Sequence, residues 1–185
     1  MSKLVGEKVK LAKFTDRYIT PAFVEWFNDY DVNKYLMTGR TPVSAEDLGF
    51  KNDYCNITMS IMSSVSYDVI DRSIITESPA IFSNFVGLTF LNGIDWINRK
   101  AELGYVIGNK RLWGQGIASE TVKLMTDYAF GRLNLHKLEA GVVDGNCASI
   151  HILEKCGFEK YTVVPEDFWL EGKYHDVHRF YKLNK

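Results

Sequence analysis

The chain has 185 residues, 46% of them hydrophobic and 24% charged, and its 22 basic and 23 acidic side chains leave a formal net charge of −1. A chain of this size hides roughly 70% of its unfolded surface in one core, so neither disulfides nor a structural metal is required. Near-neutrality excludes a whole-molecule field for nucleic acid or an anionic membrane.

No apolar run approaches the ~18 residues of a membrane span, and residues 1–10 lack the apolar centre of a signal peptide. Three cysteines, Cys55, Cys147 and Cys156, are too few and odd in number for a disulfide framework. They read as reduced thiols, so the expected compartment is the cytoplasm. No repeat or low-complexity tract divides the chain, and a single domain over 1–185 is expected.

In chain order, residues 9–14 alternate apolar and charged as a half-buried strand does. Residues 18–28 carry Ile19, Phe23, Trp26 and Phe27 at helical spacing, with Thr20-Pro21 as a start signal. Ser44-Ala45-Glu46-Asp47 has the cap and first-turn acids of a second helix. Residues 51–83 mix Ser, Asn and Asp with β-branched pairs such as Val69-Ile70 and Ile74-Ile75, and allow one or two strands. Residues 85–91 and 101–108 are β-prone runs joined by the polar stretch 92–100, which fits a hairpin connection.

After Gly116, the positions Ile117, Thr121, Leu124, Met125, Tyr128 and Ala129 trace one face of an amphipathic helix. Residues 137–143 form a strand and 148–156 a short helix stopped by Gly157. Two more strands, 158–164 and 174–183, end the chain. Strands interleaved with helices imply a mixed sheet covered by helices, an α/β architecture.

The chemistry-bearing stretch runs from Tyr105 to Glu120 and joins a strand to a helix through Gly114 and Gly116. A helix's first turn leaves N–H groups unpaired and carries about half a positive charge, which suits a phosphate. Glycine lets the backbone approach closely and take positive φ. Arg111 and Lys110 can add charge beside it. The run lacks both the Gly-Lys-Ser/Thr ending of a Walker loop and the three-glycine spacing of a dinucleotide fingerprint.

Arg111-x-x-Gly114-x-Gly116-x-Ala118 resembles the pyrophosphate-binding signature of the GNAT acetyltransferases. The blocks 101–107, Asn146-Cys147-Ala148-Ser149, 153–158 and 171–177 are similar to its Rim-type (RimJ/RimL-like) branch, named for ribosomal-protein N-terminal acetyltransferases. The likeness is dense over 86–183 and loose before it, chiefly Trp26-Phe27-Asn28-Asp29.

The resemblance implies a GNAT fold, a twisted mixed sheet whose central parallel strands splay apart around acetyl-coenzyme A. It implies that backbone groups of Val106 and Ile107 pair with the pantetheine arm. The N–H groups of Trp113, Gly114, Gln115, Gly116, Ile117 and Ala118 take the pyrophosphate, with Arg111 alongside. Asn146 hydrogen-bonds the arm, or acts only as a helix cap. Ser149 lies near the sulfur. The implied reaction is direct acetyl transfer to a primary amine, with Glu102 as base and Ser149 as the group that meets the thiolate; Tyr105, Tyr161 and Tyr174 are alternatives for the second role. Glu102 paired only with Arg99 or Lys100 is the competing assignment.

The implied partners are acetyl-coenzyme A and an amine acceptor, either a protein N-terminus or a small molecule such as an amino sugar, amino acid or antibiotic. The protein is expected to be a monomer or homodimer, and a non-catalytic coenzyme A-binding module is the alternative from another class. Trp26, Phe27, Tyr30 and His175 are candidates for the acceptor side, although an aromatic stripe at helical spacing is more often core. Cys147 and His151, four apart on a helix, lack a third orienting group. His175 and His178 fall on opposite faces of a strand and do not converge on a metal.

Overall fold

The computed structural model describes residues 4–38, 41–48, 53, 55–64 and 84–185. The strands are β1 (Val9–Lys13), β2 (Ile57–Ser63), β3 (Phe85–Asp95), β4 (Lys100–Ile107), β5 (Lys137–Val143), β6 (Glu159–Leu170) and β7 (Lys173–Leu183). The helices are α1 (Pro21–Asn28), α2 (Tyr30–Asn33), α3 (Ile117–Gly131) and α4 (Cys147–Lys155). All seven strands form one sheet in the order β1-β2-β3-β4-β5-β7-β6. Every adjacent pair is antiparallel except β4 and β5.

The parallel pair is short. Lys100, Ala101 and Glu102 stand opposite Lys137, Leu138 and Glu139, and the pairing goes no further. β4 nevertheless continues along β3 as far as Ile107, and β5 along β7 as far as Val143. The two strands therefore part at Glu102 and Glu139, and their facing edges are left unpaired beyond that crotch.

The two sheet faces are covered differently. Ala101, Leu103, Leu138 and Ala140 point to one face and pack with Ile117, Met125 and Leu153 of α3 and α4 in the larger core. Val106 and Leu88 point to the other and pack with Phe23 and Phe27 of α1 and with Phe14, Tyr18 and Phe85. Over β5, β7 and β6 this second face opens to solvent: Gly141, Glu159 and Tyr161 are exposed.

Local signals explain most boundaries. The Thr20 hydroxyl accepts from the Phe23 amide at 3.2 Å, so α1 begins at Pro21 rather than at Tyr18, which ends a separate 3-10 turn. The helix expected after Ser44 is one 3-10 turn, Glu46–Leu48, whose Asp47 accepts from the Ser44 amide and hydroxyl. β3 runs four residues past its expected end, leaving a tighter connection to β4. β6 runs through Pro165 to Leu170 instead of ending at Val164, because it is an edge strand with a register shift between Val164 and Phe168. Of the ambiguous stretch 51–83, residues 57–63 form β2, whose Thr58 and Ser60 are buried. Val69-Ile70 and Ile74-Ile75 lie outside the described residues.

Candidate active site

The turn from β4 into α3 is built around its glycines. Gly114 has φ +74° and Gly116 φ +83°, conformations in which an L side chain is strained. Gly116 is the N-cap of α3, and no side chain caps the helix there. The amides of Gly114, Gly116, Ile117, Ala118 and Ser119 have no partner among the described residues. Two amides expected in the set are otherwise engaged: that of Trp113 donates to the Lys110 carbonyl at 3.1 Å and that of Gln115 to Leu112 at 3.4 Å. Ser119 replaces them, because N3 is as orphaned as N1 and N2 in any helix.

The surrounding charges are also sorted by the fold. Arg111 is exposed beside this turn, while Lys110 turns away to Asp29 at 2.7 Å and Asp31 at 3.1 Å and straps the loop to α2. Lys110 therefore brings no free charge to a phosphate. Lys8, from the start of the chain, lies instead against the loop, its Nζ donating to the Gln115 carbonyl at 3.0 Å. Gln115 closes the turn from within, its side-chain amide donating to the Arg111 carbonyl at 2.8 Å.

Below the loop, ladder phase decides which backbone groups face the gap. The Gly108 amide donates to Val86 of the β3 side at 2.9 Å. Antiparallel alternation then commits Val106 to β3 and points the backbone of Tyr105 and Ile107 toward β5. Val106 is thus not available to an arm lying in the gap. Ile107 is, although its carbonyl already accepts from the Trp113 indole at 2.8 Å.

Across the gap, Asn146 caps α4: its Oδ1 accepts from the Ser149 amide at 3.3 Å, leaving the side-chain nitrogen without a partner among the described residues. Ser149 faces Tyr105 on the helix-covered side of the sheet. Burial pushes the Tyr105 phenol up to about 12, and the neighbouring Ser149 side chain pulls the other way. The Tyr105 hydroxyl is nonetheless buried without a hydrogen bond of good geometry.

Glu102 points to the opposite, open face. Its Oε1 accepts from Arg179 Nη1 at 2.9 Å, not from Arg99 or Lys100. Glu139, next to it in register, takes Lys137 at 2.7 Å, and that hydrogen bond holds its carboxyl below the ordinary value. Tyr161 donates to Glu139 at 3.4 Å. Sequence reasoning missed Arg179, Glu139 and Gly141, since the pairing of β5 with β4 brings Glu139 to Glu102 and only the further pairing of β5 with β7 brings Arg179 across Gly141.

Glu102 and Ser149 do not converge: they are on opposite faces, and Tyr105 is three residues, about 10 Å, along β4 from Glu102. Trp26 belongs to the aromatic core, stacked over Gly108 where a β-carbon would strike its ring at 1.9 Å. Tyr30 is exposed and donates to Glu171 in the β6–β7 turn, which links α2 to the hairpin across the mouth of the gap. His175 pairs with Phe168 near that turn, about 13 Å along β7 from Arg179. Cys147 and His151 are both exposed on α4.

A phosphate cradle at a helix start, continuous with an unpaired slot between parallel strands, defines a site for a nucleotide-linked acyl carrier. Comparison with known proteins agrees: the acetyltransferase (GNAT) domain family matches residues 8–159, and the chain belongs to that family. The uncharacterized N-acetyltransferase p20 of Bacillus licheniformis is 31% identical over 187 residues, covering 100% of this chain and 98% of that protein. Spermidine N(1)-acetyltransferase of Vibrio cholerae is 34% identical over 117 residues, covering 63% of this chain and 66% of that protein. A crystal structure of the Vibrio cholerae spermidine N-acetyltransferase with CoA and spermine superposes with TM-score 0.78 at 24% identity, covering 96% of each chain, and shows the shared fold.

The protein is an acetyl-coenzyme A-dependent N-acetyltransferase of GNAT type. The residues present fit the carrier: the five amides without a partner among the described residues and the exposed Arg111 would take the diphosphate, and the slot would take the arm.

Proposed function

We propose that this single domain moves an acetyl group directly from acetyl-coenzyme A to the primary amine of a small cationic molecule, a polyamine being the first candidate, in the cytoplasm. The observation that carries the reading is the pair of carboxylates, Glu102 and Glu139, at the crotch of the slot on the uncovered face. Both are ion-paired, but Glu102 Oε2 has no partner among the described residues, and an ammonium group entering from solvent meets that oxygen. The relatives named for spermidine support the choice of acceptor.

Glu102 takes the proton from the ammonium, directly or through one water, through Oε2, which has no partner among the described residues. As the nitrogen–carbon bond forms, the carbon–sulfur bond breaks, and the second proton shed by the nitrogen reaches the departing thiolate through water or through Tyr161, whose hydroxyl reaches Glu139 on that face. Ser149 and Tyr105 line the covered side and hold the arm. Base assistance of this kind contributes roughly 10² to 10⁴ in rate.

A protein N-terminal amine is the second reading. It is favoured by the Rim-type blocks, by the putative ribosomal N-acetyltransferase YdaF of Bacillus subtilis, 32% identical over 99 residues, and by the openness of the face. Thiol release from acetyl-coenzyme A, measured with spermidine, spermine, an amino sugar and short peptides with free N-termini, decides between them. Coenzyme A binding without turnover on any of these amines would sink both acceptor readings.

A further inference from the structure

The open face carries an arrangement that the transfer reaction alone does not explain. Arg179 of β7 reaches across β5 to Glu102 of β4, passing over Gly141. A β-carbon on Gly141 would lie 2.5 Å from Arg179 Nη1, so the absent side chain is what lets the guanidinium lie flat between the two strands. Gly141 has no positive φ, and its backbone does not require glycine. Space, not conformation, is the reason for glycine here.

The guanidinium is held from several sides. Burial opposes its charge, while Glu102 and the neighbouring Tyr161 favour it. Tyr161 in turn reaches Glu139, and the Lys137 ammonium lies 5.4 Å from the Tyr161 ring and 5.7 Å from that of Tyr181. Two carboxylates and two cations thus form one neutral cluster at the place where β4 and β5 part. Only one oxygen of Glu102 is used within it.

We infer that Arg179 is a positioning residue for acetyl transfer, seated by Gly141: it fixes Oε1 of Glu102 so that Oε2 faces the acceptor amine. This inference rests on the role proposed above for Glu102. A carboxylate free to rotate would spend much of its time aimed elsewhere, and misplacement of about 1 Å at such a group costs up to about 10² in rate. Because Arg179 lies on the face away from the cradle, its contribution falls on kcat and not on the binding of acetyl-coenzyme A.

The test uses two independent variants of the full chain. Arg179→Met removes the charge while keeping a long side chain. Gly141→Ala leaves Arg179 in the sequence and displaces only its guanidinium, with no conformational penalty for the backbone. Both are expected to lower kcat by about tenfold or more while leaving the KM for acetyl-coenzyme A and the coenzyme A-induced rise in Tm unchanged. Arg179→Lys restores part of kcat, and in a Glu102→Gln background Arg179→Met adds no further loss.

Full kcat in Arg179→Met and Gly141→Ala, with Glu102→Gln impaired, overturns the positioning role and leaves the proposed function standing. Losses that multiply in the double variant overturn it as well, since Arg179 would then act apart from Glu102. Full activity in all three single variants removes Glu102 from the chemistry and this inference with it.

Discussion

The indole N–H of Trp113 donates to the carbonyl of Ile107 at 2.8 Å, tying the phosphate loop back onto the strand that leads into it. Trp113 is 45% exposed, so its ring is only partly packed. Its hydrogen bond is what fixes the angle between strand and loop. Trp113→Phe keeps the ring and loses the donor. Its expected effect is a severalfold rise in the KM for acetyl-coenzyme A, with a stability loss of about 1 kcal/mol or less in urea denaturation. An unchanged KM would mean that the loop holds its shape without this bond.

Gly116 and Gly93 allow conformational strain to be separated from ligand binding. Both have positive φ, +83° and +57°, and both have open space where a side chain would project, with only Lys8 Nζ at 3.6 Å near Gly116. Alanine at either position costs roughly 1–2 kcal/mol. Gly93, however, lies about 20 Å along β3 from the loop. Gly116→Ala is expected to raise the KM for acetyl-coenzyme A tenfold or more and to abolish the coenzyme A-dependent thermal shift. Gly93→Ala should show the stability loss alone. If the two variants bound coenzyme A equally well, the free amides at α3 would not be the diphosphate site.

How far the sequence reveals this site depends on which link of the chain is asked about. The glycine turn, the capped start of α4 and the strand 137–143 are local, and their signals are complete within a few residues. Which of Val106 and Ile107 faces the gap is not local. It depends on the ladder phase set by the Gly108–Val86 bond, and neighbouring residues in a strand look alike until that phase is known. Lys110 shows the same limit: chain proximity puts its charge beside the loop, yet Asp29 and Asp31, about eighty positions earlier, take it. Arg179 and Gly141 meet Glu102 only after three strands from different parts of the chain are aligned. The length of β6 was hidden for another reason, since Pro165 reads as a strand breaker unless the strand is known to be an edge.

The strap from Lys110 to α2 has a defined pH window. The hydrogen bond from Lys110 holds the Asp29 carboxyl below its ordinary 3.8, and the bonds to Asp29 and Asp31 hold the ammonium above its ordinary 10.5. A depressed carboxyl contributes stability above its unfolded value and loses it as pH falls through the folded one. A raised ammonium contributes below its unfolded value and loses it as pH rises through the folded one. Lys110→Met is therefore expected to lower Tm at neutral pH, with the gap to wild type closing as the solution is acidified past 3.8 or made alkaline past 10.5. A gap of the same size at pH 3 would show that the lysine acts through its aliphatic stem.

Glu120 anchors the start of the chain to α3. Its two oxygens accept the amides of Glu7 at 2.6 Å and Lys8 at 2.8 Å, and a β-carbon at Gly6 would strike the same carboxylate at 2.1 Å. Hydrogen bonds to a charged acceptor are worth roughly 1.5–3 kcal/mol when protected, and less at a partly exposed carboxylate such as this one. Glu120→Ala should destabilise by about 1–2 kcal/mol and release Lys8 from the loop, weakening acetyl-coenzyme A binding as well. Glu120→Gln keeps one acceptor oxygen and is expected to fall between. The stability loss alone, without the change in KM, would make this anchor independent of the site.

Ser149 is the residue whose proposed part changes most once the faces of the sheet are known. It stands beside Tyr105 on the helix-covered side, whereas Glu102 and its ion pair occupy the open side about 10 Å further down β4. On the function proposed above, a hydroxyl there holds the arm of the carrier rather than meeting the departing thiolate at the level of Glu102. Ser149→Ala is therefore expected to raise the KM for acetyl-coenzyme A severalfold while turnover stays within about twofold of wild type, the pattern of lost uniform binding. Tyr105→Phe removes a buried hydroxyl that has no well-formed partner and should leave Tm unchanged or slightly raised. Turnover slowed by about a hundredfold or more in Ser149→Ala, with KM unchanged, would restore it as the proton donor. The sulfur would then have to lie up the slot near Tyr105, and Glu102 would be too far away to serve as the base.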